Sequence, residues 1–334
     1  MSLRDAWETR GLGLGSRGTG RQGPRPRRPL LRRGHAPGAD PEMIAMPEQK
    51  VQARLHDGSA IDVEIHGEGP TVLLPVNPVP VEGPQAEELR RWGADPALGR
   101  SLIDGLGDAF RVVAFDYEGH VLQVPKPDTL TPANLAADLL AVADAARADR
   151  FAYYGYSWLA LGGLQLAIRS DRVAALAMGG YPPLDGPYAE MLKVTMATHE
   201  LAVASAASPP PPTEPSGRSP EETDWSQVQV TLSEGQTRQF VTLYQALRDF
   251  DDRAAQARLE CPRLCFVGSA DEITYDERWG GVRVSIADPV TSRRAELEAL
   301  GWQVEVLEGL DHMQAMQAAR VLPILRPWLL ASAT

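Results

Sequence analysis

A serine, a carboxylate and a histidine, spread over the C-terminal half of the chain, are the residues whose surroundings point to chemistry. The stretch FAYYGYSWLALGGLQLAIRS, residues 151–170, runs from an apolar segment through Gly155-Tyr156-Ser157 directly into an Ala- and Leu-rich segment, with no loop between. A strand that becomes a helix so abruptly holds Ser157 on a tight, strained turn, where Gly155 relieves crowding and the Oγ is pushed out above the sheet. The Trp158 N–H then falls in the first helical turn, where the helix dipole supports donation to a developing oxyanion. For Ser157 taken alone, a helix N-cap is the plain alternative.

A serine hydroxyl is a poor nucleophile at neutral pH, so it needs a base within hydrogen-bond reach and a third group to orient that base. Of the six histidines, His35 sits in a Gly/Pro/Arg-rich arm, His56 and His66 in an N-terminal hairpin and His199 in a long insertion. His120 follows the strand pattern RVVAFDYEGH, and His312 follows QVEVL within LEGLDHMQAM. His312 is the expected base, because it occupies the loop into the last helix, downstream of a candidate acid. That acid follows RLCFVG, where Ser269-Ala270-Asp271-Glu272 offers two adjacent carboxylates. Asp271 is favoured over Glu272, because a shorter side chain orients an imidazole with less freedom. A turn carboxylate alone is ordinary, but Ser, Asp and His placed in that order at strand ends form a triad pattern.

The elements that must position these groups can be read from periodicity. VQARLHDGSAIDVEIHG is a hairpin turning at Asp57-Gly58, since both residues tolerate positive φ. TVLLPV, RVVAF, FAYYG, VAALAM, RLCFVG and QVEVL are near-continuous apolar runs, as expected of strands buried on both faces. Helical patterns alternate with them: PALGRSLIDGLG, ANLAADLLAVADAARA, WLALGGLQLAIRS, TSRRAELEALG and MQAMQAARVLPILRPWLL. The expected class is α/β, a mostly parallel sheet flanked by helices on both faces, with an antiparallel hairpin at its first edge. The expected division is a basic, disordered segment over 1–45, a core over 46–182, a helical cap over 183–260 and the rest of the core over 261–334. The cap contains two amphipathic stretches, 187–207 and 232–258, around the Pro-rich linker SPPPPTEPSGRSP. Its Trp225, Phe240 and Tyr244 are expected to close over an apolar part of a ligand, with helix-face core as the commoner role of such residues.

Charge and composition exclude several classes. The chain has 334 residues with a formal charge of −11. Residues 1–40 carry nine arginines against three acids, a net of +6, so the remainder, with 24 basic and 41 acidic groups, stands at −17 and should repel nucleic acid and anionic lipid. No apolar run approaches the roughly 18 residues needed to cross a bilayer. The Arg27-Arg28 pair lacks the apolar region that an export signal needs after it, and Met43 or Met46 is an alternative start. Cys261 and Cys265 have no His or Cys cluster around them, so they read as reduced core thiols in a cytoplasmic protein without a metal site.

Gly155-Tyr156-Ser157-Trp158 resembles the nucleophile elbow of the α/β-hydrolase superfamily, Gly268-Ser269-Ala270-Asp271 its acid turn and Gly309-Leu310-Asp311-His312 its histidine loop. The resemblance covers nearly all of residues 50–330. It implies a catalytic core with a helical cap inserted after the sixth strand, and it places Asp116 and His120 near the site or in structural roles, outside the triad. Two features depart from the family pattern. Leu159 stands two places after the serine where a small residue is usual, and VLLPVNPVPVEG replaces the family's His-Gly pair after the third strand. Because Pro75, Pro78 and Pro80 have no N–H, the second oxyanion donor must come from Val76 or Asn77, and Asn77 is assigned by position, with its side-chain amide as an added possibility. The expected activity is hydrolysis of a small ester, lactone or thioester through an acyl-enzyme on Ser157, with no cofactor and a small molecule as the only partner. A ligand-binding protein of low activity on the same fold, and a cofactor-free perhydrolase or C–C hydrolase, are the alternatives.

Overall fold

The computed structural model describes residues 48–91, 93–207 and 230–332; the basic N-terminal segment, the Pro-rich linker and Trp225 lie outside them. Strands β1 (Glu48–Arg54) and β2 (Ala60–His66) form the expected hairpin, with Arg54 opposite Ala60 and Gly58 at φ 82° in the turn. β2 joins β4 (Arg111–Ala114) in antiparallel fashion. From there the sheet is parallel through β3 (Thr71–Leu74), β5 (Phe151–Tyr156), β6 (Val173–Gly179), β7 (Arg263–Gly268) and β10 (Trp302–Leu307), giving the order β1-β2-β4-β3-β5-β6-β7-β10.

The parallel strands read as unbroken apolar runs because both of their faces are buried. Leu73, Tyr153, Cys265 and Val267 point into the core on one face, beneath the helices Pro132–Ala145 and Trp158–Ala167. Val72, Leu74, Ala152, Tyr154, Leu264 and Phe266 point into the other, where Leu102 and Ile103 of the helix Leu98–Leu106 meet Val321, Leu325 and Leu329 of the helix Ala318–Ser332. Cys265 is buried in the first core and Cys261 is partly buried beside it; both are free thiols, and burial raises both pKa values.

The insertion after β6 forms the helices Tyr188–Ala206 and Glu234–Ala246, the second started by a capping box between Ser233 and Gln236. Three elements depart from the sequence reading. Strand β4 ends at Ala114, and His120 sits in a helix, Tyr117–Gln123, because the Asp116 side chain accepts the Gly119 N–H (2.8 Å) and caps it. A helix, Pro84–Arg91, stands in the loop after β3. A small antiparallel pair, β8 (Glu272–Thr274) and β9 (Arg283–Ser285), follows the acid turn.

Candidate active site

Ser157 sits at φ 57°, ψ −132°, between the last residue of β5 and the first of the helix Trp158–Ala167. A residue with a Cβ reaches such a conformation only at a cost of about 1–3 kcal/mol, which the surrounding bonds must hold in place. The Ser157 N–H donates to Gly179 O at the end of β6 (2.8 Å), and the Ser157 carbonyl accepts the Ala160 N–H (2.9 Å). Gly155 is required two residues earlier: a Cβ there would lie 2.4 Å from Leu159 O and 2.8 Å from the Tyr153 ring. The unusual Leu159 is accommodated because Gly163 leaves room for that ring, whose hydroxyl donates to Leu159 O (2.8 Å). Helix and strand thus approach through glycines on either side of a tyrosine.

His312 begins the short helix His312–Ala315, which Asp311 caps by accepting the Gln314 N–H (2.8 Å). Its Nδ1 lies 2.7 Å from Asp271 Oδ2. The Tyr156 hydroxyl donates to His312 O (2.8 Å), and the two rings lie 5.0 Å apart, so the residue before the serine also fixes the imidazole. With Nδ1 engaged by the carboxylate, Nε2 is the nitrogen left to serve a hydroxyl.

Asp271 is fully buried. Its N–H donates to Gly268 O (3.1 Å), and its carbonyl accepts the N–H groups of Ile286 and Ala287 (3.0 and 3.1 Å), locking the acid turn under the chain that follows β9. One oxygen holds His312, while Oδ1 has no hydrogen-bond partner among the described residues. A carboxylate desolvated to this degree with one oxygen unsatisfied is expensive to maintain, which is the usual mark of a group kept for chemistry. The neighbouring Glu272 instead lies in β8, half exposed and paired with Arg283.

Ser157 and His312 line one cavity of about 460 Å³, together with Val76, Asn77 and the first residues of the helix after Ser157. The two expected second donors separate here. The Val76 N–H donates to Leu74 O (2.9 Å) and is therefore spent, so Val76 lines the cavity without serving as an oxyanion donor. Asn77 remains: its side-chain Oδ1 accepts the Val79 N–H (2.9 Å) and braces the loop, while its own N–H has no acceptor among the described residues. Gly99 makes this possible, since a Cβ there would lie 1.9 Å from Asn77 O.

The walls of the cavity also differ from expectation. Among the described residues, none of the insertion after β6 lines it; Val79, Val81, Leu89 and Leu98 from the chain between β3 and β4, with Met316, form its apolar side. Phe240 and Tyr244 are buried, and Phe240 packs edge-on against the Trp158 ring at 5.4 Å. Phe240 therefore packs on the helix that carries the serine, and neither residue faces the cavity. Val79 and Val81 lie in a Pro-rich segment without apolar periodicity, which is why sequence reasoning missed them.

The remaining histidines of the hairpin side are bound into a separate polar network. His120 Nε2 lies 2.9 Å from Ser59 Oγ, which donates to Asp57 Oδ1 (2.6 Å) and accepts from Lys126 Nζ (3.2 Å). Lys126 is buried and also paired with Asp57. Burial, reinforced by the Lys126 charge, lowers the His120 pKa. His56 bridges Asp138 (2.9 Å) and Thr129 (3.1 Å), and the Tyr117 hydroxyl donates to the other Asp138 oxygen (2.8 Å).

No protein-family model and no curated protein sequence matches the chain. Solved structures do. It is similar to a membrane phospholipase A described as a bacterial virulence factor (17% identity over 86% of this chain and 87% of that chain, TM-score 0.51). It is also similar to the enol-lactonase from Burkholderia xenovorans LB400 (17% identity, 84% and 99% of the two chains, TM-score 0.50) and to the bromoperoxidase from Bacillus anthracis (18% identity, 84% and 100%, TM-score 0.50). With the eight-stranded sheet and the turn at Ser157, these likenesses give the chain the α/β-hydrolase fold. No helix among the described residues is long and apolar enough to cross a membrane.

Proposed function

We propose that the protein is a serine hydrolase that cleaves a small ester, lactone or thioester by acyl transfer to Ser157 and then to water. The observation that carries this reading is the Asp271–His312 hydrogen bond (2.7 Å), which fixes an imidazole on the same cavity as a serine strained to φ 57°. His312 Nε2 takes the Ser157 proton as Oγ attacks the carbonyl carbon, and Asp271 stabilises the imidazolium that forms. The carbonyl oxygen becomes an oxyanion, held by the N–H groups of Trp158 and Asn77. Collapse of the tetrahedral species returns the proton from His312 to the leaving oxygen, or to the sulfur of a thioester, and a water, activated by the same imidazole, releases the acyl group. These steps draw only on side chains and backbone of this chain.

A panel of p-nitrophenyl esters, lactones and thioesters tests the reading on wild type, Ser157→Ala and His312→Ala. Either substitution should lower kcat/KM by at least ~10^3, because the two groups act as one unit. Turnover retained in Ser157→Ala overturns the assignment.

A further inference from the structure

Asp271 holds the His312 ring through one hydrogen bond, to Nδ1 (2.7 Å), and a ring held at one nitrogen can still pivot about that bond and carry Nε2 away from Ser157. A second hold acts on the backbone of the same residue. The Tyr156 hydroxyl donates to His312 O (2.8 Å), a carbonyl that the Met316 N–H, four residues on, passes over for Gln314 O. Burial, with the Asp271 carboxylate nearby, raises the Tyr156 pKa well above its ordinary value, so the hydroxyl remains a donor wherever His312 can act as a base.

The phenol is itself seated. Its ring lies on Gly179 and Gly180 at the end of β6: a Cβ at Gly179 would come 2.6 Å from ring atom Cδ2, and one at Gly180, which stands at φ 61°, 2.5 Å from Cζ. The Gly180 N–H donates to Phe266 O in β7 (2.9 Å), and the Phe266 ring lies 6.2 Å from that of Tyr156. Gly179 O also accepts the Ser157 N–H (2.8 Å). Nucleophile and base are therefore referred to the same two glycines, one through its own backbone and the other through the side chain that precedes the nucleophile. We infer that Tyr156 is a positioning residue for His312, its hydroxyl setting the approach of the imidazole so that Nε2 is held in the geometry of proton transfer with Ser157. The inference rests on the serine hydrolase reading and adds a fourth side chain to the triad. Because its proton is committed to a carbonyl, the phenol acts through His312 and gives no proton to the substrate.

Tyr156→Phe keeps the ring on its glycines and removes the hydroxyl alone. On p-nitrophenyl butyrate, kcat per folded molecule should fall at least about tenfold, where misplacing a reacting group by about 1 Å costs about 100-fold, while KM stays within about threefold. The rate of fluorophosphonate labelling at Ser157 should fall by a similar factor, since it uses the same oxygen and the same base. Tyr117→Phe is the matched change: it also removes a hydroxyl donating at 2.8 Å, there to Asp138, and should lower the urea midpoint while leaving kcat and labelling within about twofold of wild type. A smaller kcat loss in Tyr156→Phe, a loss confined to KM, or equal kcat losses in the two variants overturns Tyr156 as a positioning residue and leaves the triad standing. Wild type that neither turns over the ester nor takes the probe overturns the hydrolase reading itself, and this inference with it.

Discussion

Among the described residues, hydroxyl, imidazole and carboxylate come together around Ser157 and, on the hairpin side, around Ser59 and around His56, and the reaction we propose belongs to the first alone. Ser157, His312 and Asp271 stand at the ends of β5, β10 and β7, with the serine strained and a cavity before it. At the hairpin side, Ser59 meets His120 and Asp57, and His56 meets Thr129 and Asp138. The proton bookkeeping separates the Ser59 cluster, whereas Thr129, with His56 Nδ1 on Asp138 and Nε2 on the hydroxyl, is told apart by lying on neither the strained turn nor the cavity that Ser157 occupies. Ser59 gives its single proton to Asp57, so the His120 contact at 2.9 Å requires Nε2–H to donate to Ser59 Oγ, the reverse of what a general base does. Lys126 donates to the same oxygen and lowers its nucleophilicity further. In the first site the carboxylate engages Nδ1, leaving Nε2 to accept. Three residue types in contact therefore do not make a nucleophile; the direction of each hydrogen bond and an open space for the substrate do.

Substituting the two carboxylates that hold a histidine breaks this comparison most sharply. Asp271→Asn should lower kcat/KM by about 10^3 to 10^4 with little change in the cavity, because the amide no longer holds the correct tautomer or stabilises an imidazolium. Asp138→Asn, at the equivalent position beside His56, should leave kcat/KM per folded molecule within about twofold, and lower stability instead, since Asp138 accepts from Tyr117 and the His56 backbone as well. Steady-state kinetics and denaturant melts on the same preparations separate the two outcomes.

A smaller effect is expected at Asp57, and it depends on pH. Burial alone would raise its pKa, but the hydrogen bonds from Lys126 and Ser59 outweigh this and hold the carboxyl well below its ordinary 3.8. A carboxylate with a depressed folded-state pKa contributes stability above its unfolded value, and loses that contribution as pH falls towards the folded value. Asp57→Asn should therefore cost about 2–3 kcal/mol near pH 7, where it leaves Lys126 buried and unpaired. The deficit should shrink as pH falls below 3.8. Urea melts of both proteins at pH 7 and pH 3 measure it; a deficit that grows on acidification contradicts the account.

How much of this was legible in the sequence varies with what each part packs against. The strands, the hairpin turn at Asp57-Gly58 and the order of Ser157, Asp271 and His312 follow from apolar runs that end at particular polar residues. Gly155 signalled the tight turn at the serine, although not that Gly163 leaves the Tyr153 ring its space beside Leu159. The helix Pro84–Arg91 was invisible because only Ala86 of PQAEELRR is buried, leaving no apolar stripe to detect. The helix Tyr117–Gln123 is too short for periodicity to separate it from the strand before it. Periodicity in the insertion after β6 identified buried faces but not their partners: of the two roles open to Phe240, ligand contact and helix-face core, it fills the second, packed on Trp158. The loss of Val76 as a donor is a matter of backbone direction, which side-chain identity does not record.

The central claim is that one hydroxyl in the chain is activated, and covalent labelling tests it most directly. A fluorophosphonate probe incubated with the full chain, followed by intact mass and peptide mapping, should give one adduct, on the peptide containing Ser157, which vanishes in Ser157→Ala and slows severely in His312→Ala. An adduct on Ser59 or Thr129, or ester turnover that proceeds with Ser157 unlabelled, contradicts it.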